Sequence, residues 1–253
     1  MAGRMDPPWP LARWRVRHEI NEIRAQDLRF TGRDSDRFLN EVMGLSLSKA
    51  DIALLESKTE GWIVGLQLAA IALQLPQSPQ SSISVRDRAN PSSFINTLSG
   101  SHRFILSYLT EQVLNQQPEE IQDFLLQTSI LDRVNGDLCN AVTGRSDSRA
   151  LLERLFKANL FLIPLDDEGQ WYRYHPLFAE MLRANLDEEV RRECQRRAAR
   201  CYADQQLTQD AIQYALAAQD YDLMAKLLAQ SYKIFLAHGL LVSLQKWLAA
   251  LPI

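Results

Sequence analysis

One histidine stands where chemistry could be done. In Trp171-Tyr172-Arg173-Tyr174-His175-Pro176 an alternating aromatic and polar run ends on an imidazole, and Leu177, Phe178, Met181 and Leu182 follow at helical spacing. Alternation predicts a strand and Pro176 suits the first turn of a helix, so the ring of His175 falls at a strand-to-helix handover. A ring in that place either packs quietly or faces an anion, because a helix N-terminus offers N–H donors and the positive end of its dipole. The other reactive side chains form no constellation. Glu19 and Glu22, and Asp166, Asp167 and Glu168, have no partner base and no metal-ligand spacing, so solvated faces and a turn are the expected roles. Cys194 and Cys201 lie seven apart on one helix face and read as a packing stripe. With Cys139 they make three cysteines without a CxxC spacing, which fits reduced thiols better than a disulfide frame.

The elements that would position these residues follow in chain order. The 46% apolar and 23% charged content is that of a folded chain, and a net charge of -3 supplies no global field for nucleic acid. No apolar run approaches the roughly 20 residues of a membrane span, and no signal-peptide core opens the chain, so a cytoplasmic, membrane-free protein is expected. Asp6-Pro7-Pro8-Trp9-Pro10 excludes a helix, and Glu19-Ile20-Asn21-Glu22-Ile23 alternates as a short strand. That strand reads as the edge of a sheet whose other strands are missing, as though the chain started inside a domain. From Asp34 helices follow: one with Phe38, Leu39 and Val42 on a shared face, closed by Gly44; one capped by Ser48; and an apolar one from Trp62 to Leu75 after Gly61. Residues 76–91 read as a polar surface loop, followed by helical stretches at Phe94–Leu98 and Phe104–Leu114.

Residues 118–186 spell three short helices, a hairpin turning at Asp166-Asp167-Glu168-Gly169, and a fourth helix, which is a winged-helix order. Between 102 and 186 eight Lys/Arg face twelve Asp/Glu, a balance of -4. Its third helix offers only Arg149, Arg154 and Lys157, with Glu153 among them, so direct DNA binding by this wing is disfavoured. After Asp187 the pattern is helical throughout, with Glu188/Arg192 and Glu193/Arg197 as i,i+4 pairs. These segments read as the start of a helical-repeat, TPR-like solenoid that stops after about two helix pairs, so truncation is expected there too.

Several stretches together resemble one family, the large ATP-binding transcriptional regulators of the MalT-like, LuxR type, within the signal-transduction ATPases with numerous domains (STAND). They are Asp6-Pro7-Pro8 with Leu11-Ala12-Arg13, Asp27-Leu28-Arg29-Phe30-Thr31, and Thr59-Glu60-Gly61-Trp62 with Gly65-Leu66-Gln67-Leu68-Ala69-Ala70. Phe124-Leu125-Leu126-Gln127-Thr128-Ser129-Ile130-Leu131, Leu138-Cys139-Asn140-Ala141-Val142-Thr143-Gly144, Trp171–His175 and Trp247-Leu248-Ala249-Ala250-Leu251-Pro252 complete the set in the family's order. The resemblance implies a mainly α chain with a remnant β edge at its N-terminus. It would hold the end of a nucleotide-binding domain (1–33), a helical lid (34–117), a winged helix (118–186) and the start of a helical sensor domain (187–253).

In such a protein, ADP holds a closed state and inducer with ATP opens it to self-association. His175 takes the place of the histidine in the family's MHD-like motif, which donates to the ADP β-phosphate, with Tyr174 for Met and Pro176 for Asp. Arg4 takes the place of a sensor arginine. Gly61-Trp62-Ile63 takes the place of the lid's GxP element against adenine, with Ile63 for proline. Arg29 recurs in the family without an assignable role there, and a surface ion pair is the expected use of its charge. Against the pattern, the sequence has no GxxxxGK[ST] phosphate loop, no acidic strand for magnesium and no helix-turn-helix module for DNA. The chain is therefore expected to be a non-enzymatic regulatory fragment that takes no ADP or ATP of its own, with an inducer as partner of the helical repeats. A protein-interaction module of helical repeats and a stand-alone winged-helix DNA binder are the rival readings.

Overall fold

The computed structural model describes residue 9 and residues 11–74, 91–100, 102–237 and 239–252. Arg4, Asp6-Pro7-Pro8 and the expected loop up to residue 90 lie outside the described residues. The chain is mainly helical and divides into two compact units. One takes the residues up to Gln117 with Leu155–Leu162 and Tyr174–Ala184, and the other takes Pro118–Arg154, Ile163–Arg173 and the residues from Asn185 onward.

In the first unit the expected β edge at the N-terminus is not a strand. The segment opens with helix α1 (Leu11–Val16), and residues 19–24 form no ladder. Glu22 instead pairs with Arg15 (2.6 Å) and with Arg24. A lone strand has no neighbour to satisfy its backbone, so a local ion-paired turn is the better solution. Helix α2 (Gly32–Asp36) starts at Thr31, whose amide and hydroxyl both donate to Asp34 Oδ2 at 3.1 and 2.6 Å. It continues into widened, π-type turns over Arg37–Val42. The widening breaks the face expected for Phe38, Leu39 and Val42: Leu39 is fully buried, whereas Val42 is 69% exposed.

Ser48 caps helix α3 (Lys49–Thr59) as expected. The Asp51 amide donates to Ser48 Oγ (3.2 Å) and the Ser48 amide donates back to Asp51 Oδ2 (3.3 Å). Hydrogen bonds from Ser92 and then Ser48 hold the Asp51 carboxyl below its usual range. Helix α4 (Ile63–Gln74) buries Leu66, Ala69 and Ala70 completely. Helix α5 (Pro91–Thr97) begins one residue inside the stretch expected as loop, with proline at the position where its missing N–H costs nothing. Helix α6 (Arg103–Leu109) passes into a second π-type stretch, Thr110–Leu114.

Helices α7 (Glu119–Thr128), α8 (Gly136–Thr143) and α9 (Ser148–Lys157), strands β1 (Leu162–Pro164) and β2 (Tyr172–Tyr174), and helix α10 (Pro176–Asn185) follow in winged-helix order. Gly144 closes α8 at φ +75°, where a Cβ would be strained. At the hairpin tip Asp166 accepts from the amides of Gln170 (2.8 Å) and Trp171 (2.9 Å), so that carboxylate is spent on its own turn. Tyr172 and Tyr174 are buried and Arg173 is half-buried, the alternation read from the sequence. In the second unit Val134 bridges Tyr172 beyond the hairpin.

Helices α11 (Glu188–Asp204), α12 (Thr208–Ala217), α13 (Tyr221–Ala237) and α14 (Leu241–Ala249) pack on one another in sequence order. Helix α11 also packs on α7 and α8, where Arg197 Nη1 donates to the Val142 carbonyl (3.1 Å). Both i,i+4 pairs form, Glu188–Arg192 at 2.9 Å and Glu193–Arg197 at 3.0 Å. Among the described residues, no helix is long and apolar enough to cross a membrane.

Candidate functional site

His175 is the residue before α10, and its carbonyl accepts from the Ala179 amide (2.9 Å), so it caps that helix. Its own amide donates to the Phe161 carbonyl (2.8 Å), with Phe161 itself at φ +55°. These two bonds fix the ring inward, and the residue is only 4% exposed. The imidazole meets Trp62 and Phe161 edge to face, at centroid distances of 6.0 and 6.1 Å. Its Nε2 lies 2.9 Å from the carbonyl oxygen of Thr59, the last residue of α3. A carbonyl can only accept, so Nε2 carries the proton and donates it.

Gly61 and Trp62 form the elbow between α3 and α4. Glu60 and Gly61 are both left-handed, at φ +49° and +70°. A Cβ on Gly61 would sit 2.4 Å from the Phe30 carbonyl oxygen, and the Phe30 amide donates to the Gly61 carbonyl (2.9 Å). Glycine is therefore required both for its conformation and for the close approach of a neighbouring backbone. The Trp62 ring lies 5.1 Å from Phe161 and 6.2 Å from Tyr108, and it leans over Gly65, where a Cβ would come 2.7 Å from Trp62 Cε3. Arg29 sits at the rim, its Nη1 3.7 Å from Glu60 Oε2, the ion pair expected for it, with Glu60 as the partner.

Of the residues singled out in the sequence, His175, Gly61 and Trp62 thus come together in one unit, with Ile63 next in the chain as the first residue of α4. Arg4 lies outside the described residues. Tyr108 and Phe161 were missed, since aromatic neighbours carry no motif, and Thr59, though inside a matched stretch, was not named for the carbonyl it contributes. Gly100 was missed as well. A Cβ there would fall 1.9 Å from the Leu177 carbonyl oxygen, and its amide donates to Glu180, so the first turns of α10 rest on it.

The remaining candidates carry no reactive arrangement. Burial pushes the Cys139 thiol far up and the Cys194 thiol up to about 11, so neither is a ready nucleophile. Among the described residues no group of three or more His, Cys, Asp or Glu could hold a metal ion. On α9, Arg149 lies 3.8 Å from Glu153, and just before that helix Arg145 bonds Asp147 and Glu120 at 2.8 and 2.6 Å. This interleaving of acid with base leaves little positive charge to neutralise DNA phosphates.

Residues 110–194 match the family described as the MalT winged helix domain. The chain is 31% identical to the HTH-type transcriptional regulator MalT of Yersinia enterocolitica, over 100% of this chain and 27% of that protein. It is likewise 31% identical to MalT of Vibrio cholerae, over 93% of this chain and 25% of that protein. The serine/threonine-protein kinase PknK of Mycobacterium tuberculosis is 33% identical over 83% of this chain and 18% of the kinase. The chain spans about a quarter or less of the length of these relatives. The helix–wing–helix core belongs to the MalT winged helix domain family, and the segment around it is MalT-like from end to end.

Proposed function

We propose that the chain is a regulatory segment of an ATP-dependent, LuxR-type transcriptional activator, and that it reads the nucleotide state rather than performing the output. The observation that carries this reading is the meeting of His175 with Gly61-Trp62. These candidate nucleotide contacts are more than a hundred residues apart in sequence, yet their rings lie 6.0 Å apart. The relatives support it from another side. The same segment aligns with part of a protein named as a kinase and part of one named as a transcriptional regulator, so what it contributes is common to both rather than either output.

In this reading residues 1–33 close a nucleotide-binding domain, 34–117 form its helical lid, 118–186 the winged helix and 187–253 the start of the helical sensor for an inducer. ADP or ATP would be held in the longer protein, with Arg4 and Ile63 as the remaining contacts. DNA would be met by another module, and the protein would work in the cytoplasm. Calorimetric titration of ADP into the longer protein tests it: His175→Ala should weaken ADP binding at least about tenfold, the loss of one charge-assisted hydrogen bond. Unchanged ADP affinity would sink the sensor role. The interleaved charges on α9 disfavour the stand-alone DNA-binding reading.

A further inference from the structure

We propose that Glu60-Gly61 is a hinge between α3 and α4, and that the His175 imidazole is the latch that holds it shut. The proposal does not depend on any nucleotide. Two distant chain segments, Arg29-Phe30 and His175, converge on this elbow. The Thr59 carbonyl accepts from the Trp62 amide across the turn and from His175 Nε2–H, each at 2.9 Å. The Gly61 carbonyl accepts from the Phe30 amide at 2.9 Å, and Arg29 reaches the Glu60 carboxylate at 3.7 Å.

The backbone has the character a hinge needs. Two successive residues are left-handed, and one of them, Glu60, bears a Cβ that makes this conformation unfavourable. Such a residue persists where its surroundings hold it, and it relaxes when they let go. The contacts differ in strength. Arg29 is 45% exposed, so its ion pair is screened and holds little. The Trp62 amide belongs to the elbow itself and cannot anchor it to anything else. Beside the Phe30 backbone bond, His175 is the side-chain donor that reaches in, from 116 residues away, onto a carbonyl whose residue is fully buried. Losing that donor leaves the buried Thr59 carbonyl with the Trp62 amide alone, and so removes one net hydrogen bond from the elbow. The ring also wedges Trp62 against Phe161, so release of the imidazole frees the first residues of α4 along with the turn.

Amide hydrogen exchange on the 253-residue chain tests the latch with three variants. In His175→Gln the side-chain amide nitrogen stands where Nε2 stands, in His175→Asn it falls short, and in His175→Ala it is gone. The Trp62 and Phe30 amides should exchange about tenfold faster in the Asn and Ala variants, the population shift expected from one net hydrogen bond. In the Gln variant they should stay within about threefold of the parent. The Val134 amide, bonded to Tyr172 in the other unit, should be unmoved in all three. Three results overturn the proposal: equal acceleration in Gln and Asn, elbow amides unchanged in Ala, or a Val134 amide that accelerates in step with the elbow. If His175→Ala does not fold, the Gln and Asn pair still decides.

Discussion

Replacing Gly61 by alanine should be among the most damaging single-methyl additions in the first unit. The cost has separable parts. Gly61 sits at φ +70°, where a Cβ costs about 1–2 kcal/mol. That methyl would stand 2.4 Å from the Phe30 carbonyl oxygen, against 3.4 Å for ordinary contact, so the neighbouring backbone must retreat. Retreat breaks the bond from the Phe30 amide to the Gly61 carbonyl, about 1 kcal/mol, and overpacking adds about 1–3 kcal/mol more. The sum is about 3–6 kcal/mol, a large fraction of the ~5–15 kcal/mol that holds a typical domain together. Gly44 supplies the control. It has nearly the same φ, +68°, but no atom lies within 4 Å of its would-be Cβ, so Gly44→Ala should cost only the conformational ~1–2 kcal/mol. Urea denaturation of both variants, followed by far-UV circular dichroism, measures the difference. Equal losses would refute the claim that close approach to Phe30, rather than handedness alone, demands glycine at the elbow.

Two further predictions follow from side-chain environments. Hydrogen bonds from Arg15 and then Arg24 lower the Glu22 carboxyl to about 2. Because the folded value lies below the ordinary one, this pair's contribution is complete above the usual carboxylate range and fades as pH falls toward 2. A carbon-detected NMR titration should place the Glu22 midpoint near there, and Arg15→Ala should move it back up; an ordinary midpoint in the parent chain contradicts the turn that replaces the expected strand. The cysteines should differ sharply at pH 8. Cys201 is half-buried and should be modified first by a thiol reagent, whereas Cys139 and Cys194 are buried with thiols pushed up and should react only on unfolding. Mass spectrometry of the labelled protein decides, and early labelling of Cys139 would contradict its packing in α8.

The parts of the fold that were legible in the sequence are those set by short-range physics. Ser48 at the head of a helical run, Gly144 after an apolar stretch, Pro176 before Leu177 and the Glu188/Arg192 spacing each specify a local geometry, and each forms. What misled was local pattern without its tertiary complement. Residues 19–23 alternate like a strand but find no neighbouring strand among the described residues, and Val42 repeats at helical spacing but is turned outward by a π-type stretch that no residue announces. The site divides the same way. His175 and Gly61 could be named because an imidazole and a glycine are conspicuous. Thr59 contributes a backbone oxygen and Gly100 a bare Cα against Leu177, properties that any composition could supply and that only the folded chain reveals.

The two roles argued for His175 constrain each other. A single N–H is given fully to one acceptor at a time, and here the Nε2 proton goes to the Thr59 carbonyl at 2.9 Å. A nucleotide phosphate that took the same proton would have to displace that carbonyl, leaving Thr59 with only the Trp62 amide and the left-handed Glu60 without its distant support. Sensing and latching would then be alternative states of one side chain, and filling one would empty the other. Linkage makes this quantitative: whatever factor the phosphate gains by freeing the imidazole, the elbow must lose in stability. His175→Gln and His175→Asn separate the two halves, because both keep an amide N–H but only Gln keeps the reach of Nε2. A variant that kept the elbow closed and also kept full phosphate affinity would show that the two roles draw on different atoms of the ring.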